Sequence, residues 1–445
     1  MKRIEAPPTH KTYIDYYRDL SAEGRLDIHA ALYQKGIIRK INDDYLYWSD
    51  VKYKVPAEYK DLLTPVDLWA IVKEDRFHDR RYFEVGNEGF YFTKTDSLDQ
   101  QLHEFDLHLA GGVYEQTASF TETDKNQYLI GSIMEESIAS SQIEGAITSR
   151  LAAKEMLRKN RPPRNTSEQM IVNNYTTIQH IVRMKKQPLT SSSLLELHRL
   201  MTIETMNNPL EAGQLRVHDN IYVVDAIEGG IIHAPPAHTV LPTFVADLCQ
   251  LFNDETPDFF VHPVVKASII HFLIGYFHPF TDGNGRTARA LFYWYLLRKG
   301  YWLTEYLSIS RIIMQSRAQY YRAFQYTEAD ENDLTYFVLY QVKTLSRAYD
   351  ELQKYIERKN QEKLDRLLLQ RNEKLSPRQA QIVEWLRHSP SGTLSVKEVE
   401  IRLGVSNQTA RTDIRDLVKA GFLEELPING KERHYIEGER LVSKP

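Results

Sequence analysis

From about residue 102 to residue 348 the chain repeats apolar side chains at helical intervals. Segments 124–144, 166–184, 191–206, 238–254, 262–277 and 286–299 each carry the 3.6-residue spacing of a helix. The pattern breaks between Gly213 and Pro236. There Asn220-Ile221-Tyr222-Val223-Val224 and Ile231-Ile232-His233 flank Glu228-Gly229-Gly230, which predicts a hairpin. Gly111-Gly112 mark a break near the start of the helical region. Upstream, Thr64-Pro65 followed by Val66, Leu68, Trp69 and Val72 predicts a capped amphipathic helix. Arg81 to Val85, then Asn87-Glu88-Gly89, then Phe90-Tyr91-Phe92 predicts a second hairpin.

Residues 333–373 read as one long helix, solvated over the charged run Glu357 to Lys363. A new pattern starts at Ser376, with a helix over 377–388 and then Leu394 to Val399. Leu403-Gly404-Val405 forms a turn, and Ser406 caps a helix running to Ala420. Gly421 to Leu426 and Arg433 to Ile436 flank Asn429-Gly430, a hairpin signal. Helix, helix-turn-helix and hairpin in that order predict a winged helix. The expected architecture is mainly α. A small α/β region without a nameable role occupies 1–100, and a helical domain with one hairpin occupies 101–350. A helical linker follows over 351–373, then a winged-helix-like domain over 374–445.

Composition narrows the function classes. At 445 residues with 42% hydrophobic and 26% charged residues, the chain can bury sizeable cores. Its 56 Lys and Arg against 60 Asp and Glu leave a net charge of −4, too mild for wholesale nucleic-acid or membrane binding. Cys249 is the single cysteine, so no intramolecular disulfide can form and a cysteine zinc site is not expected; a reducing, cytoplasmic setting fits. No apolar run follows the first residues, so no secretory leader is expected. The apolar stretch Val261 to Phe280 is interrupted by His262, Lys266, His271 and His278, and reads as a buried core helix rather than a membrane span.

The segment that ends this apolar helix carries chemistry. Gly283-Asn284-Gly285 can turn successive backbone N–H groups toward one anion, and a helix begins immediately after them. Arg286 and Arg289 lie one turn apart on that helix and suit phosphate oxygens. Asp282 at the mouth of this cradle is a single carboxylate of the kind that shares Mg²⁺ with substrate phosphates. His278 is a candidate general base. Pro279 stiffens the turn and Phe280 is expected to anchor it in the core. Each of these residues alone is more often a packed histidine, a plain turn or a solvated arginine. Their order and spacing within twelve residues is what points to transfer chemistry on a polyphosphate.

His278 to Arg289 reads HPFTDGNGRTAR and resembles the signature HPFx(D/E)GNGRxxR of the Fic (Fic/DOC) family at every specified position. The resemblance implies a helical bundle with a hairpin flap. It also implies protein adenylyltransferase activity, moving AMP from ATP with Mg²⁺ onto a hydroxyl of a target protein. By it, His278 activates the target hydroxyl and Asp282 binds Mg²⁺. Gly283, Asn284 and Gly285 form the nest, Arg286 holds phosphate and Arg289 pairs with the γ-phosphate. The hairpin near 220–235 corresponds to the flap, which registers the target by strand addition. Tyr320-Tyr321 either line the base pocket or, as helical tyrosines more often do, belong to the core.

Ser140-Ser141-Gln142-Ile143-Glu144-Gly145 resembles the family's inhibitory motif (S/T)xxxE(G/N), placed before the catalytic loop as in the class II arrangement. It implies an inhibitory helix at about 125–145, with Glu144 competing against ATP for Arg289.

Other readings stay open. Asn407, Gln408, Arg411, Thr412 and Arg415 on the winged helix could contact DNA, making the chain a DNA-binding regulator through 376–440. Against this, residues from Lys374 onward hold 12 Lys and Arg and 10 Asp and Glu, a net of +2, and Asp413 and Asp416 fall on the recognition helix. Removal of AMP, transfer of another nucleotide, self-modification, a degenerate structural domain and a homodimer are further alternatives.

Overall fold

The computed structural model describes residues 4–9, 14–15, 18–19, 21–22, 26–111, 122–224, 230–387, 392–427 and 433–442. The chain falls into two compact units, Met1–Asp350 and Glu351–Pro445.

The first unit opens with helices α1 (Leu26–Gln34), α2 (Ile37–Asp43) and α3 (Pro65–His78). α3 starts where the sequence signals it. Thr64 accepts from the Asp67 N–H, the Asp67 carboxylate accepts from the Thr64 N–H, and Pro65 sets the first turn. Trp69 on α3 packs edge-on against Trp48 at 5.9 Å in an apolar cluster that includes Tyr336 from far along the chain.

A buried ionic network adds to this cluster. Lys73 donates to Asp330 and to the Tyr91 hydroxyl, each at 2.8 Å. Arg76 lies 3.9 Å over the Tyr45 ring and donates to the Tyr336 hydroxyl at 2.9 Å. Tyr45 in turn donates to Asp333 at 2.7 Å. Buried charges persist only when paired and hydrogen-bonded, so this network ties the first hundred residues to the segment around 330.

β1 (Arg80–Val85) and β2 (Glu88–Thr93) form the first hairpin. Its turn is Gly86-Asn87, with φ 60° and 65°, not Asn87-Glu88-Gly89 as the composition suggested. Two left-handed residues match strand twist, and Gly86 and Asn87 are the two that accept that conformation. Gly86 is also pressed on Phe277, whose ring would lie 2.6 Å from a Cβ there.

Helices α4 (Asp96–Phe105), α5 (Glu122–Ile143), α6 (Arg150–Arg158), α7 (Thr166–Met184) and α8 (Ser191–Thr202) follow. α6 escaped the periodicity reading because its nine residues bury only Ala153 and Met156. Strands β3 (Val223–Val224) and β4 (Ile231–His233) form the second hairpin, whose expected tip at 228–229 lies outside the described residues. Then come α9 (Leu241–Phe252), α10 (Pro263–Phe277), α11 (Asn284–Arg298), α12 (Ile309–Gln315), α13 (Arg317–Ala329) and α14 (Thr335–Glu373).

α10 is apolar around most of its circumference because neighbouring helices and the first hairpin enclose it. His271 on α10 contacts the Tyr320 hydroxyl at 2.8 Å, and Tyr320 is buried, which makes it a core residue. Among the described residues no helix is long and apolar enough to cross a membrane.

In the second unit α15 (Pro377–Arg387), β5 (Leu394–Ser395), α16 (Val396–Leu403), α17 (Asn407–Lys419), β6 (Leu423–Pro427) and β7 (Arg433–Glu437) form a winged helix with sheet order β5-β7-β6. Ser395 and Glu398 make a capping box for α16, Gly404 ends it at φ 64°, and Ser406 caps α17. Val383, Leu394, Val399, Ile414, Leu417 and Phe422 centre its core. The Asn429-Gly430 turn lies outside the described residues.

Lys73→Met leaves Asp330 buried without its cation. The expected cost is about 3 kcal/mol, read as a lowered midpoint in guanidinium unfolding of the full chain. An unchanged midpoint would remove the network from the forces holding the first unit together.

Candidate active site

The site forms where α10 stops and α11 starts. α10 ends on His278, which is left-handed at φ 46°, ψ 59°. That conformation is costly for a side chain with a Cβ, and the surroundings enforce it. Arg216 is the main restraint. Its Nε donates to the His278 carbonyl at 2.9 Å, Nη1 to the His218 carbonyl at 3.0 Å and Nη2 to the Pro236 and Phe277 carbonyls. Its own backbone N–H donates to Pro279 at 2.9 Å.

The His278 ring is fixed as well: Nδ1 lies 3.0 Å from the Gly275 carbonyl. A carbonyl can only accept, so Nδ1 carries the proton and, in the neutral ring, Nε2 has a free lone pair. Burial holds the His278 pKa below its ordinary value, which keeps the ring neutral near pH 7.

The loop that follows is braced by groups absent from the signature. The His198 ring stacks on Phe280 at 3.7 Å and 3°. The Gly213 N–H donates to its Nδ1 at 3.0 Å, so Nε2 bears the proton and donates to the Asp282 carbonyl at 2.8 Å. Burial pushes the His198 pKa down to about 4. The Asn284 side chain grips Phe280 twice, accepting from its N–H at 3.0 Å and donating to its carbonyl at 2.8 Å. Gly283 is left-handed at φ 83°, and a Cβ there would meet Thr202 at 2.7 Å.

α11 starts at Asn284, two residues before the sequence reading, with no side-chain cap. Its first N–H groups therefore lack an intrahelical partner. Two buried guanidinium groups project from the first turns. Arg286 donates through Nη1 to the Met201 carbonyl at 2.9 Å, while its Nε and Nη2 have no hydrogen-bond partner among the described residues. Arg289 donates through Nε to the Ser140 hydroxyl at 2.9 Å and through Nη2 to the Ser140 carbonyl at 3.0 Å; its Nη1 has no hydrogen-bond partner among the described residues.

Asp282 is 59% exposed at its side chain and 3.8 Å from the Arg286 Nη2, so it is not consumed in a close ion pair. No cluster of three or more metal-ligating side chains exists among the described residues. A cation here would draw one ligand from Asp282 and the others from phosphate and water, a donor set that suits Mg²⁺.

Glu144 enters from the end of α5. Its Oε1 accepts from Arg289 Nη2 at 2.9 Å. Burial raises the Glu144 pKa, but Arg289 and Arg286 outweigh it and hold the carboxyl below its ordinary value. A Cβ at Gly285 would collide with Glu144 Oε1, so the glycine is what admits the carboxylate. Gly145, at φ 95°, ends the helix directly behind it. The structure thus brings together all the loop and motif residues expected from sequence: Ser140, Glu144, Gly145, His278, Asp282, Gly283, Asn284, Gly285, Arg286 and Arg289. Tyr320, buried in the core beside His271, is close enough to Arg289 and Glu144 to interact electrostatically with both. The hairpin lies beside them, with Val224 and Ile231 exposed and His233 Nε2 bonded to the Tyr276 carbonyl at 2.6 Å.

Residues 188–296 match the Fic/DOC family. This stretch is a Fic domain. Its relatives include the protein named protein adenylyltransferase Fic from Nematostella vectensis, 31% identical over 170 residues, covering 37% of this chain and 34% of that protein. The protein of the same name from Drosophila willistoni is 34% identical over 158 residues, covering 35% of this chain and 27% of that protein. The chain thus spans about a third or less of these curated relatives. A crystal structure of a Fic family protein from Desulfovibrio desulfuricans shares the fold at 20% identity and a TM-score of 0.50, covering 78% of this chain and 98% of that one. Residues 378–426 match the DeoR-like helix-turn-helix domain, in keeping with the winged helix beyond the Fic domain.

His198 gives the Fic domain a pH-dependent stability with a definite sign. Its folded pKa is depressed, so its contribution is complete above pH 6.5 and is lost as pH falls toward about 4. Over that window the loss amounts to roughly 3 kcal/mol. His198→Gln should flatten the stability-versus-pH slope between pH 6 and about 4 by close to one proton, measured by denaturant titration; an unaltered slope contradicts the buried neutral ring.

Proposed function

We propose that this chain is a protein adenylyltransferase that moves AMP from ATP to a hydroxyl of a target protein and is held in check by Glu144. The observation that carries the reading is the cluster of unpartnered buried N–H groups on Arg286 and Arg289 beside the uncapped start of α11. Such a cluster is an anion site, and its shape suits a chain of phosphates.

In the reaction the target oxygen attacks the α-phosphorus, the bond to the bridging oxygen breaks, and pyrophosphate leaves. His278 takes the hydroxyl proton on Nε2, the nitrogen left free by the Nδ1 bond to Gly275. Asn284 and Gly285 offer backbone N–H groups, the Gly283 N–H being donated to the Asp282 carboxylate at 2.6 Å until a cation engages it, and Arg286 neutralises phosphate charge. Asp282 would hold Mg²⁺, which supplies charge neutralisation on the phosphates when bound. The target, a second protein or this one, lies along the β3–β4 hairpin as an added strand.

Arg289 is the γ-phosphate partner in this reading, and Glu144 occupies it at 2.9 Å. A carboxylate and a triphosphate compete for one guanidinium, so ATP binds in a poor pose while α5 is seated.

A second reading concerns the winged helix. Asp413, one of two acids that argue against a nucleic-acid face, is 5% exposed and bonded to Arg378 at 2.8 Å. The exposed side of α17 therefore carries Asn407, Gln408, Arg411, Arg415 and Lys419 against Asp416 alone. That balance favours DNA as a ligand of this unit.

Glu144→Gly should raise AMP incorporation by at least tenfold when lysate is labelled with a tagged ATP, and Glu144→Gly/His278→Ala should label nothing while retaining ATP affinity within about threefold. Equal labelling by wild type and Glu144→Gly would remove the brake, and labelling by the double variant would remove the base. For the second unit, duplex DNA should bind with a salt-dependent affinity that Arg411→Ala and Arg415→Ala each weaken about fivefold in a gel-shift titration. Salt-independent or absent binding excludes it.

A further inference from the structure

A second carboxylate on α5 is buried and takes no part in the proposed reaction. Glu136 lies two turns before Glu144, on the same face of the helix, and is 3% exposed. Its Oε2 lies 2.8 Å from the Tyr293 hydroxyl, 2.8 Å from the Ser310 N–H and 3.3 Å from the Ser308 hydroxyl. Its Oε1 accepts from the Ser310 hydroxyl. Four donors on one carboxylate repay much of what burying it costs.

Two features make this arrangement more than packing. α12 begins at Ile309 after Ser308, whose own side chain makes no cap bond. Glu136 accepts the Ser310 N–H instead, so a residue of α5 caps a different helix. Tyr293 and Arg289 lie one turn apart on α11, as Glu136 and Ser140 do on α5. The two helices are therefore pinned at successive turns, Arg289 to Ser140 and Glu144 at one, Tyr293 to Glu136 at the other. At the C-terminal end of α5, Ile143 is buried and its carbonyl accepts from Arg317 at 3.0 Å.

We propose that Glu136 is the positioning residue of the brake: its clasp on Tyr293 and the start of α12 sets the register of α5 that lets Glu144 reach Arg289. This rests on the reading of Glu144 as inhibitor and extends it to the residue that seats it. When the clasp opens, α5 can withdraw, and Arg289 becomes available to the γ-phosphate.

The deciding measurement is the ratio of ATP to ADP affinity of the purified full chain, by calorimetry with Mg²⁺, alongside labelling with tagged ATP. The two nucleotides differ by the γ-phosphate for which Glu144 competes. Wild type should bind them about equally, and Glu144→Gly should favour ATP about tenfold, the worth of one charge-assisted arginine bond. Glu136→Gln keeps the side-chain volume but presents an NH₂ group to the donors. It should move the ratio toward the Glu144→Gly value and raise labelling about fivefold, with no further gain in the Glu144→Gly background. Ser310→Ala, which removes one donor and spares the helix cap, should act in the same direction more weakly and serves in place of Glu136→Gln if that variant does not fold.

If Glu144→Gly shifts the ratio and neither clasp variant does, the inference about Glu136 fails and the brake stands. If Glu144→Gly itself leaves the ratio unchanged, the brake reading fails. A fall in labelling that is the same with and without Glu144 would mean that Glu136 merely holds the fold, which also overturns the proposal.

Discussion

Two guanidinium groups carried into the interior by the first turns of one helix constrain everything around them. Arg286 and Arg289 are 1% and 3% exposed, and neither can shed its charge. A buried cation has to be surrounded by carbonyls, hydroxyls or anions. Met201, Ser140 and Glu144 supply some of these contacts, and Arg286 Nε and Nη2 and Arg289 Nη1 have no hydrogen-bond partner among the described residues. The position of α5, the absence of a side chain at Gly285 and the uncapped start of α11 all follow from that requirement. A site built to be satisfied partly by its own chain and partly by something else is a natural place for competition between the two.

The loop from His278 to Arg289 was legible in the sequence because its candidate chemistry is local. His278 to Arg289 lies between two helices whose apolar periodicity is plain, and a short turn forces its groups together. The same holds for the Thr64 cap and the winged helix, where capping residues sit next to the helices they start. What could not be read were the long-range braces. Arg216 reaches the His278 carbonyl across 62 positions, and His198 reaches Asp282 across 84. Nothing in the composition around Arg216 or His198 distinguishes them from a surface arginine and an ordinary core histidine. Glu136 escaped notice for the same reason: its partners lie more than 150 residues away. The first hairpin was found but its turn was misjudged by one position, since Gly86-Asn87 and Asn87-Glu88-Gly89 both contain residues tolerant of positive φ.

Charge counting along the recognition helix gave a different picture from charge placement. Asp413 and Asp416 are close in sequence, yet Asp413 turns inward onto Arg378 while Asp416 faces solvent. One ion pair, buried on the Asp413 side and half exposed on the Arg378 side, thus removes an acid from the outer surface of α17 and engages a cation of α15 at the same time. The net charge of the unit is unaltered by this, but its distribution over the face that a groove would meet is not.

Gly285 has a consequence for how such a chain can change over time. The position lies in the anion-facing turn and also gives Glu144 the clearance to approach Arg289. Any side chain added there crowds the turn and the Glu144 carboxylate together. The Glu144 side chain can be lost without touching the turn, whereas none can be gained at Gly285 without moving Glu144. Under the proposed reading, release of the brake is therefore open from the α5 side of the pocket and closed from the loop side.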